Sequence, residues 1–320
     1  MSDVLDLLES PVGEEEQLFL SLRAKEWSEF FGQEKVTEPL LIALEAAKQR
    51  SEPLDHTLLY GPPGLGKTTL SHLIAKESGG SLQITSGNAL TKVGDLAAIL
   101  SNLQANDVLF IDEIHRLPKA VEEMLYPAME DFALDVVLGK GAGARVVRID
   151  LPRFTLVGAT TRFGVLSAPL RDRFGLVHRL NYYLPPDLVV IIQRAAEKLQ
   201  MNIPTDCALS LAKRSRGTPR IALKLLKRVR DISQLDGKSE ISTQHIDEAL
   251  RLQQVDEQGL DEHDHRYLDA LSIQFKGGPV GVQTMAAALS EDAVTLEEVI
   301  EPYLIQIGKI KRTARGRMLV

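Results

Sequence analysis

Between residues 58 and 70 the chain reads LLYGPPGLGKTTL, two apolar runs parted by three glycines, two prolines and a lysine. Gly61, Gly66, Lys67 and Thr68 fit the pattern G-x-x-x-x-G-K-[ST], which binds a triphosphate where a strand enters the loop and a helix leaves it. The flanks meet that condition, because HTLLYG reads as a buried strand and helix-period sequence begins at Lys67. Glycines let successive N–H groups turn inward onto a phosphate, and the helix N-terminus adds the positive end of its dipole. In that arrangement Lys67 reaches the β- and γ-phosphates and the Thr68 hydroxyl binds Mg²⁺. A plain strand-to-helix turn requires neither side chain at those two places.

The segment VLFIDEIH is an apolar strand ending in Asp112 and Glu113. Carboxylates at the carboxyl end of a parallel strand stand beside the loop of a neighbouring strand. Asp112 is then expected to hold Mg²⁺, mainly through water, and Glu113 to polarise an attacking water, so that ATP is hydrolysed to ADP. FTLVGATT ends in Thr160 and Thr161, hydroxyls able to reach the same water or the γ-phosphate, although threonine is a common strand residue anyway. PLRDRFG puts Arg171 and Arg173 in a polar turn: either a solvated face or a guanidinium aimed at a neighbouring subunit's γ-phosphate. RGTPRIA opens a helix at Pro219 and makes Arg220 a second candidate γ-phosphate sensor.

From Leu54 to about Tyr183, short β-branched runs alternate with helical segments, which predicts a mostly parallel sheet covered on both faces. ALDVVLGKGAGARVVRIDL interrupts that alternation and reads as a β-hairpin with arms Ala133 to Leu138 and Arg145 to Leu151. Its Val136, Val137, Val146 and Val147 are expected to be semi-exposed, either packing back on the core or offering a docking surface. After Pro185 and Pro186 the sequence is helix-period without strands until about Gln254. Three further helices and two short strands around TARG then give a winged-helix outline. The 320 residues therefore divide into 1–182, with an acidic tail at 1–18 and the hairpin at 133–151, then 183–254 and 255–320.

Composition narrows the class. With 44% apolar and 25% charged residues the chain has the balance of a soluble globular protein, and no apolar run approaches the roughly 18 residues of a membrane span. Acids stand near the N-terminus where a signal peptide would carry bases, so a cytoplasmic protein is expected. One cysteine, Cys207, makes neither an internal disulfide nor a zinc knuckle. The net charge of −7 conceals a basic end, because Lys309, Lys311, Arg312, Arg315 and Arg317 lie together without an acid. The preceding helix carries Glu297, Glu298 and Glu301, which a phosphate lattice would repel, so the wing KIKRTARGRM is the expected DNA surface, gripping the backbone without reading bases.

LYPAMEDF, DVLFIDEIHRL, VGATTR, LSAPLRDRFG, SRGTPRIA and EPYLIQIGKIKRT, taken with the glycine loop, resemble the RuvB family of AAA+ motors that drive branch migration of Holliday junctions. The resemblance runs from about Leu22 to Arg317. It implies an AAA+ P-loop ATPase core, a small all-helical lid and a C-terminal winged-helix head, assembled as a homohexameric ring that pumps duplex DNA. It implies Leu22 and Arg23 near the base of ATP, Gly64, Lys67, Thr68 and Thr69 at its phosphates, and Glu130, Asp131, Phe132 and Tyr183 around the pocket. Thr161 takes the first sensor position, Arg220 the second, and Arg173 the finger position, so that the pocket is completed only between two subunits. Arg312 and Arg317 match the family's DNA contacts, and the hairpin matches the region that docks the junction-binding partner RuvA. Ala24 stands where the family usually has proline. Two other classes fit parts of the pattern: a clamp-loader or protein-remodelling ATPase, which has no use for a basic wing, and a nucleotide-gated DNA-binding regulator that hardly turns over.

Overall fold

The computed structural model describes residues 21–138, 145–238 and 240–320. These form two units, one ending at Tyr183 and one running from Leu184 to Val320. The first is built on five parallel strands, β1 (Thr57–Tyr60), β2 (Leu82–Ser86), β3 (Val108–Asp112), β6 (Thr155–Thr160) and β7 (Leu176–Arg179), in the order β2-β3-β6-β1-β7. Helix α1 (Glu34–Arg50) precedes β1, and α2 (Lys67–Ser78), α3 (Val93–Ser101), α4 (Lys119–Glu130) and the short α5 (Ala168–Arg171) occupy the connections. Parallel strands require such crossovers, and their cover buries TLVGAT of β6 throughout, with the hydroxyls of Thr155 and Thr160 hydrogen-bonded to the Leu54 carbonyl and to His115. Leu58, Phe110, Leu156 and Phe154 are fully buried there, each worth about 1.5–3 kcal/mol of transfer free energy. Gly158 keeps β6 close to its cover, because a Cβ would come 3.0 Å from the Phe174 ring and 3.1 Å from Ile114.

The sheet corrects one expectation. The carboxylate strand β3 is not a neighbour of β1, whose end becomes the glycine loop; β6 pairs with both and lies between them. Its terminal threonines therefore stand between loop and carboxylates. Strand β2 escaped the sequence reading, because it is an edge strand whose Gln83 and Ile84 are exposed, so no apolar alternation marks it.

The hairpin forms as expected from β4 (Ala133–Leu138) and β5 (Arg145–Asp150), antiparallel with Ala133 opposite Asp150 and Leu138 opposite Arg145. Its base joins the core through Ala133 and Leu134, while Ile149, opposite Leu134, and Val147 farther out are exposed. The glycine-rich tip, the side chains of Val136, Val137 and Val146, and the acidic tail lie outside the described residues.

The second unit begins with four helices, α6 (Pro185–Lys198), α7 (Thr205–Arg214), α8 (Pro219–Leu235) and α9 (Thr243–Leu252). It continues with α10 (Glu262–Asp269), which runs on through a π-turn, α11 (Val282–Leu289), α12 (Ala293–Thr295), a second π-turn (Leu296–Ile300) and α13 (Glu301–Gln306). A hairpin of β8 (Ile310–Thr313) and β9 (Gly316–Leu319) ends it, with Arg312 opposite Arg317. Tyr267, Leu271, Met285, Leu296 and Leu304 are the buried centre of this winged-helix part. No helix among the described residues is long and apolar enough to cross a membrane.

Candidate functional site

Gly61, Gly64 and Gly66 all have positive φ, at 142°, 78° and 101°. At Gly61 a Cβ would sit 2.4 Å from the Leu180 carbonyl oxygen, so only glycine fits the departure from β1. The Gly61 N–H donates to the Thr160 carbonyl at 3.1 Å, which joins the loop to the end of β6. Lys67, the first residue of α2, is buried with its ammonium 2.9 Å from the carbonyl oxygens of both Gly61 and Pro62. The chain thus holds a cation inside a loop whose backbone follows left-handed turns, at the positive end of a 12-residue helix. Thr68 and Thr69 follow on the first turn and are half-buried.

Two flanking elements close on this loop. Tyr183 is buried and its hydroxyl donates to the Leu65 carbonyl at 3.3 Å, while the Phe30 ring fills the space beside Gly66, 3.1 Å from where a Cβ would be. The segment carrying buried Leu22 and half-buried Arg23 runs beside α2, where Lys76 donates to the Lys25 carbonyl at 3.2 Å and pairs with Glu26. His72 of α2 has its pKa lowered by burial and by the charge of Arg23, which marks how near that arginine lies.

At the end of β3, Glu113 has φ 47°, a left-handed conformation that a side chain adopts at a cost of about 1–2 kcal/mol. Its Oε2 accepts from the Thr161 hydroxyl at 3.1 Å, and His115 Nδ1 lies 3.1 Å from the same oxygen and 2.8 Å from Thr160 Oγ1. Asp112 Oδ1 accepts the Glu113 N–H at 3.0 Å. The predicted residues Gly64, Lys67, Thr68, Thr69, Asp112, Glu113 and Thr161 therefore gather at the carboxyl ends of β1, β3 and β6. His115 joins them, a residue that no motif spacing marks. Among the described residues no group of three or more His, Cys, Asp or Glu could cage a metal. One carboxylate and one hydroxyl beside a phosphate loop suit Mg²⁺, which keeps water and substrate oxygens as most of its ligands.

Glu130, Asp131, Phe132 and Arg173 are not there. They sit at the opposite, amino edge of the sheet, away from the glycine loop of their own chain. Phe132 packs 5.9 Å from the His56 ring and edge-on to Phe154, residues that precede β1 and β6. His56 is buried, with Nε2 3.0 Å from the Met129 carbonyl oxygen and Nδ1 accepting the Leu156 N–H at 2.8 Å, so it is the neutral Nε2–H form, and burial lowers its pKa. Arg173 stacks over Tyr126 at 4.2 Å, pairs with Glu130 at 3.1 Å and donates to the Pro169 carbonyl at 2.6 Å. Its Nε is buried with no acceptor within reach. Arg171 instead lies over Phe163, 5.4 Å from the ring centre, and Phe163 stacks on Tyr60. Asp131 pairs with Arg148 of the hairpin at 2.7 Å.

In the second unit Arg220 is exposed on the first turn of α8, which Thr218 caps by accepting the Ile221 N–H at 3.4 Å. Four residues earlier, Arg216 ties the turn before α8 to the winged helix: Nη2 is 2.8 Å from Asp261 and 2.5 Å from Asp264, Nε donates to the Gly259 carbonyl, and the guanidinium covers Tyr303. Burial lifts the Asp264 carboxyl above its ordinary value even beside Arg216. No spacing rule marked this joint. On the wing, Arg312 and Arg317 both bond Glu301, which is wholly buried. Glu301 therefore does not face a phosphate lattice, and the repulsion expected of it does not arise. Burial and the neighbouring Glu301 raise the Tyr267 phenol well above its usual range, so it stays a donor.

Three family models match the chain in succession. The one described as Holliday junction DNA helicase RuvB P-loop domain matches residues 22–180, the RuvB AAA lid domain 183–256, and the RuvB C-terminal winged helix domain 257–320. The chain belongs to the RuvB family. Among solved structures it is similar to the Thermotoga maritima RuvB Holliday junction branch migration motor, at 50% identity over 94% of this chain and 96% of that one, with a TM-score of 0.86. A point variant of the same Thermotoga protein matches at 50% identity over 93% of this chain and 95% of that one, with a TM-score of 0.87. The RuvB family thus accounts for a parallel ATPase sheet, a helical lid and a winged helix in one chain, and for a glycine loop that binds nucleotide.

Proposed function

We propose that this RuvB-family chain is an ATP-driven DNA translocase that moves duplex DNA through a homohexameric ring at Holliday junctions, in the cytoplasm. The observation that carries the reading is the division of the predicted residues between two edges of one sheet. Phosphate loop and catalytic acid stand at the carboxyl edge, while Arg173 is held at the amino edge by Tyr126 and Glu130. A finger so placed serves the pocket of an adjoining subunit, with Glu130, Asp131 and Phe132 forming the rim beside it. Each pocket is then complete only at an interface, and turnover passes from subunit to subunit.

Within one pocket Lys67 binds the β- and γ-phosphates, Gly64 and Thr69 contribute backbone contacts, and Leu22, Arg23 and Tyr183 bound the nucleoside side. Thr68 and Asp112 would hold Mg²⁺, which neutralises phosphate charge when bound. Glu113, kept in place by Thr161, takes a proton from the attacking water. Arg220 acts as the second sensor. The domain limits 1–182, 183–254 and 255–320 separate these roles from the head, whose Arg312 and Arg317 touch the DNA backbone. The exposed Val147 and Ile149 of the hairpin suit a RuvA-like partner. A clamp loader or protein remodeller would have no use for a wing with five cations.

The test is dissociation of a synthetic four-way junction, with and without a RuvA-like protein. ATP should drive it, a non-hydrolysable analogue should not, and Glu113→Gln should bind ATP yet leave the junction intact. Dissociation that proceeds equally without hydrolysis would sink the motor reading.

A further inference from the structure

The wing holds two of its three arginines, Arg312 and Arg317, on a carboxylate that solvent does not reach. Glu301 has a side-chain exposure of 0%, and each of its oxygens takes a guanidinium: Oε1 accepts from Arg317 Nε at 2.9 Å, Oε2 from Arg312 Nε at 2.6 Å. The Tyr267 hydroxyl donates to Oε1 at 3.1 Å. One helical turn earlier, Glu297 Oε1 lies 2.5 Å from Arg317 Nη2, and the Glu297 carbonyl accepts from Arg312 Nη2 at 3.1 Å. Glu297 differs from Glu301 in exposure, at 37% for its side chain.

The backbone beneath is equally fixed. Arg317 and Val280 exchange both of their backbone hydrogen bonds, at 2.8 and 2.9 Å. Gly316 makes that approach possible, with φ 130° and a Cβ position only 2.3 Å from the Val280 oxygen. With main chain and Nε both anchored, the ends of the guanidinium planes are what remains for recognition. A carboxylate oxygen on Nη2 has the charge and hydrogen-bonding geometry of a phosphate oxygen.

We propose that Glu301 is a positioning residue that presents Arg312 and Arg317 to the duplex backbone, and that Glu297 is an internal stand-in for a DNA phosphate, displaced from Arg317 when the backbone arrives. This rests on the reading of the wing as the DNA surface. Two acids on one helical run thus act with opposite sign. Glu301 stays with the arginines in both states, and Glu297 competes with the ligand. The competition suits a motor that must release each phosphate as it moves, since a carboxylate waits to take its place.

The experiment is binding of a mixed-sequence duplex by the full chain over a range of salt, in Glu297→Gln, Glu301→Gln, Tyr267→Phe, Arg312→Ala and Arg317→Ala. Both glutamine changes remove one negative charge, so general electrostatics predicts that both tighten binding alike. The proposal predicts opposite signs. Glu297→Gln tightens binding about two- to fivefold, the worth of a part-exposed pair. Glu301→Gln weakens it about five- to twentyfold and lowers the salt slope, because a guanidinium Nε loses its acceptor and both planes lose their orientation. Tyr267→Phe keeps the carboxylate and both arginines, so it lowers the melting temperature without weakening binding. Tightening by both glutamines, or weakening in Tyr267→Phe as large as in Glu301→Gln, overturns the positioning role. Weaker binding in Glu297→Gln, a part-exposed site where folding is not at stake, overturns the stand-in. Arginine variants that weaken binding while both glutamines change nothing overturn this inference alone; arginine variants that bind like the parent overturn the wing reading itself.

Discussion

Replacing Arg173 with alanine tests which pocket the arginine serves. Strand β1 has four residues, Thr57–Tyr60, and at about 3.3 Å per residue it separates the two edges of the sheet by roughly 13 Å. Lys67 and Glu113 lie past its end, whereas Arg173 lies before the start of β7, which is in register with Thr57. Losing a finger removes stabilisation of the transferring phosphoryl group, worth about a thousandfold or more in ATP turnover. The contact with Tyr126 is worth only about 0.5–1 kcal/mol, too little for Arg173→Ala to unfold the domain. Glu113→Gln is expected to be defective at the other edge. In the proposed ring each interface would draw its pocket from one subunit and its finger from the next, so an equal random mixture of the two variants would make roughly one sound interface in four. Steady-state ATP hydrolysis should be near background for each variant alone and rise toward a quarter of the parent rate after subunit exchange. If Arg173 served its own pocket, no chain in the mixture would be whole, and a mixture that stays at background would refute the assignment.

Three other outcomes follow from the same geometry. Thr161→Val removes the hydroxyl that donates to Glu113; kcat for ATP should fall about 10- to 100-fold with KM little changed, and a KM effect alone would argue against a role at the base. Arg216→Ala leaves the buried Asp264 without its cation, which should cost about 3–5 kcal/mol in urea unfolding of the second unit, and adding Asp264→Asn should recover part of it. For His56, whose folded pKa is depressed by burial, the contribution to stability is complete above about pH 6.5 and is lost as the pH falls toward the folded value. The melting-temperature gap between the parent and His56→Gln should therefore shrink on acidification from pH 6.5, and a gap that widens would contradict the neutral buried form.

The sequence was most informative where chemistry demands particular residues at particular spacings. Gly61, Gly66, Lys67 and Thr68 declare the phosphate loop, and the run VLFIDE brings its acids to a strand end. It was least informative where placement depends on strand order. Nothing local says that β6 intervenes between β1 and β3, or that Glu130 and Arg173 meet at the far edge, because sheet order comes from packing across the whole domain. Strand β2 was missed since its edge position leaves Gln83 and Ile84 exposed. Burial of charge was equally hidden. Glu301 reads as a solvated acid until the two arginines from the wing fold over it, and Arg216 reads as one more basic residue in SRG until Asp261 and Asp264 arrive from a later helix.

The most direct measurement is a structure of the assembled protein on duplex DNA with Mg²⁺ and a non-hydrolysable ATP analogue. The terminal phosphate is predicted to lie against Lys67, with Asp112 and Glu113 of the same subunit on one side and Arg173 from the adjoining subunit on the other. A terminal phosphate met by the Arg173 of its own chain, or bound away from the Gly61 to Thr68 amides, would contradict the account.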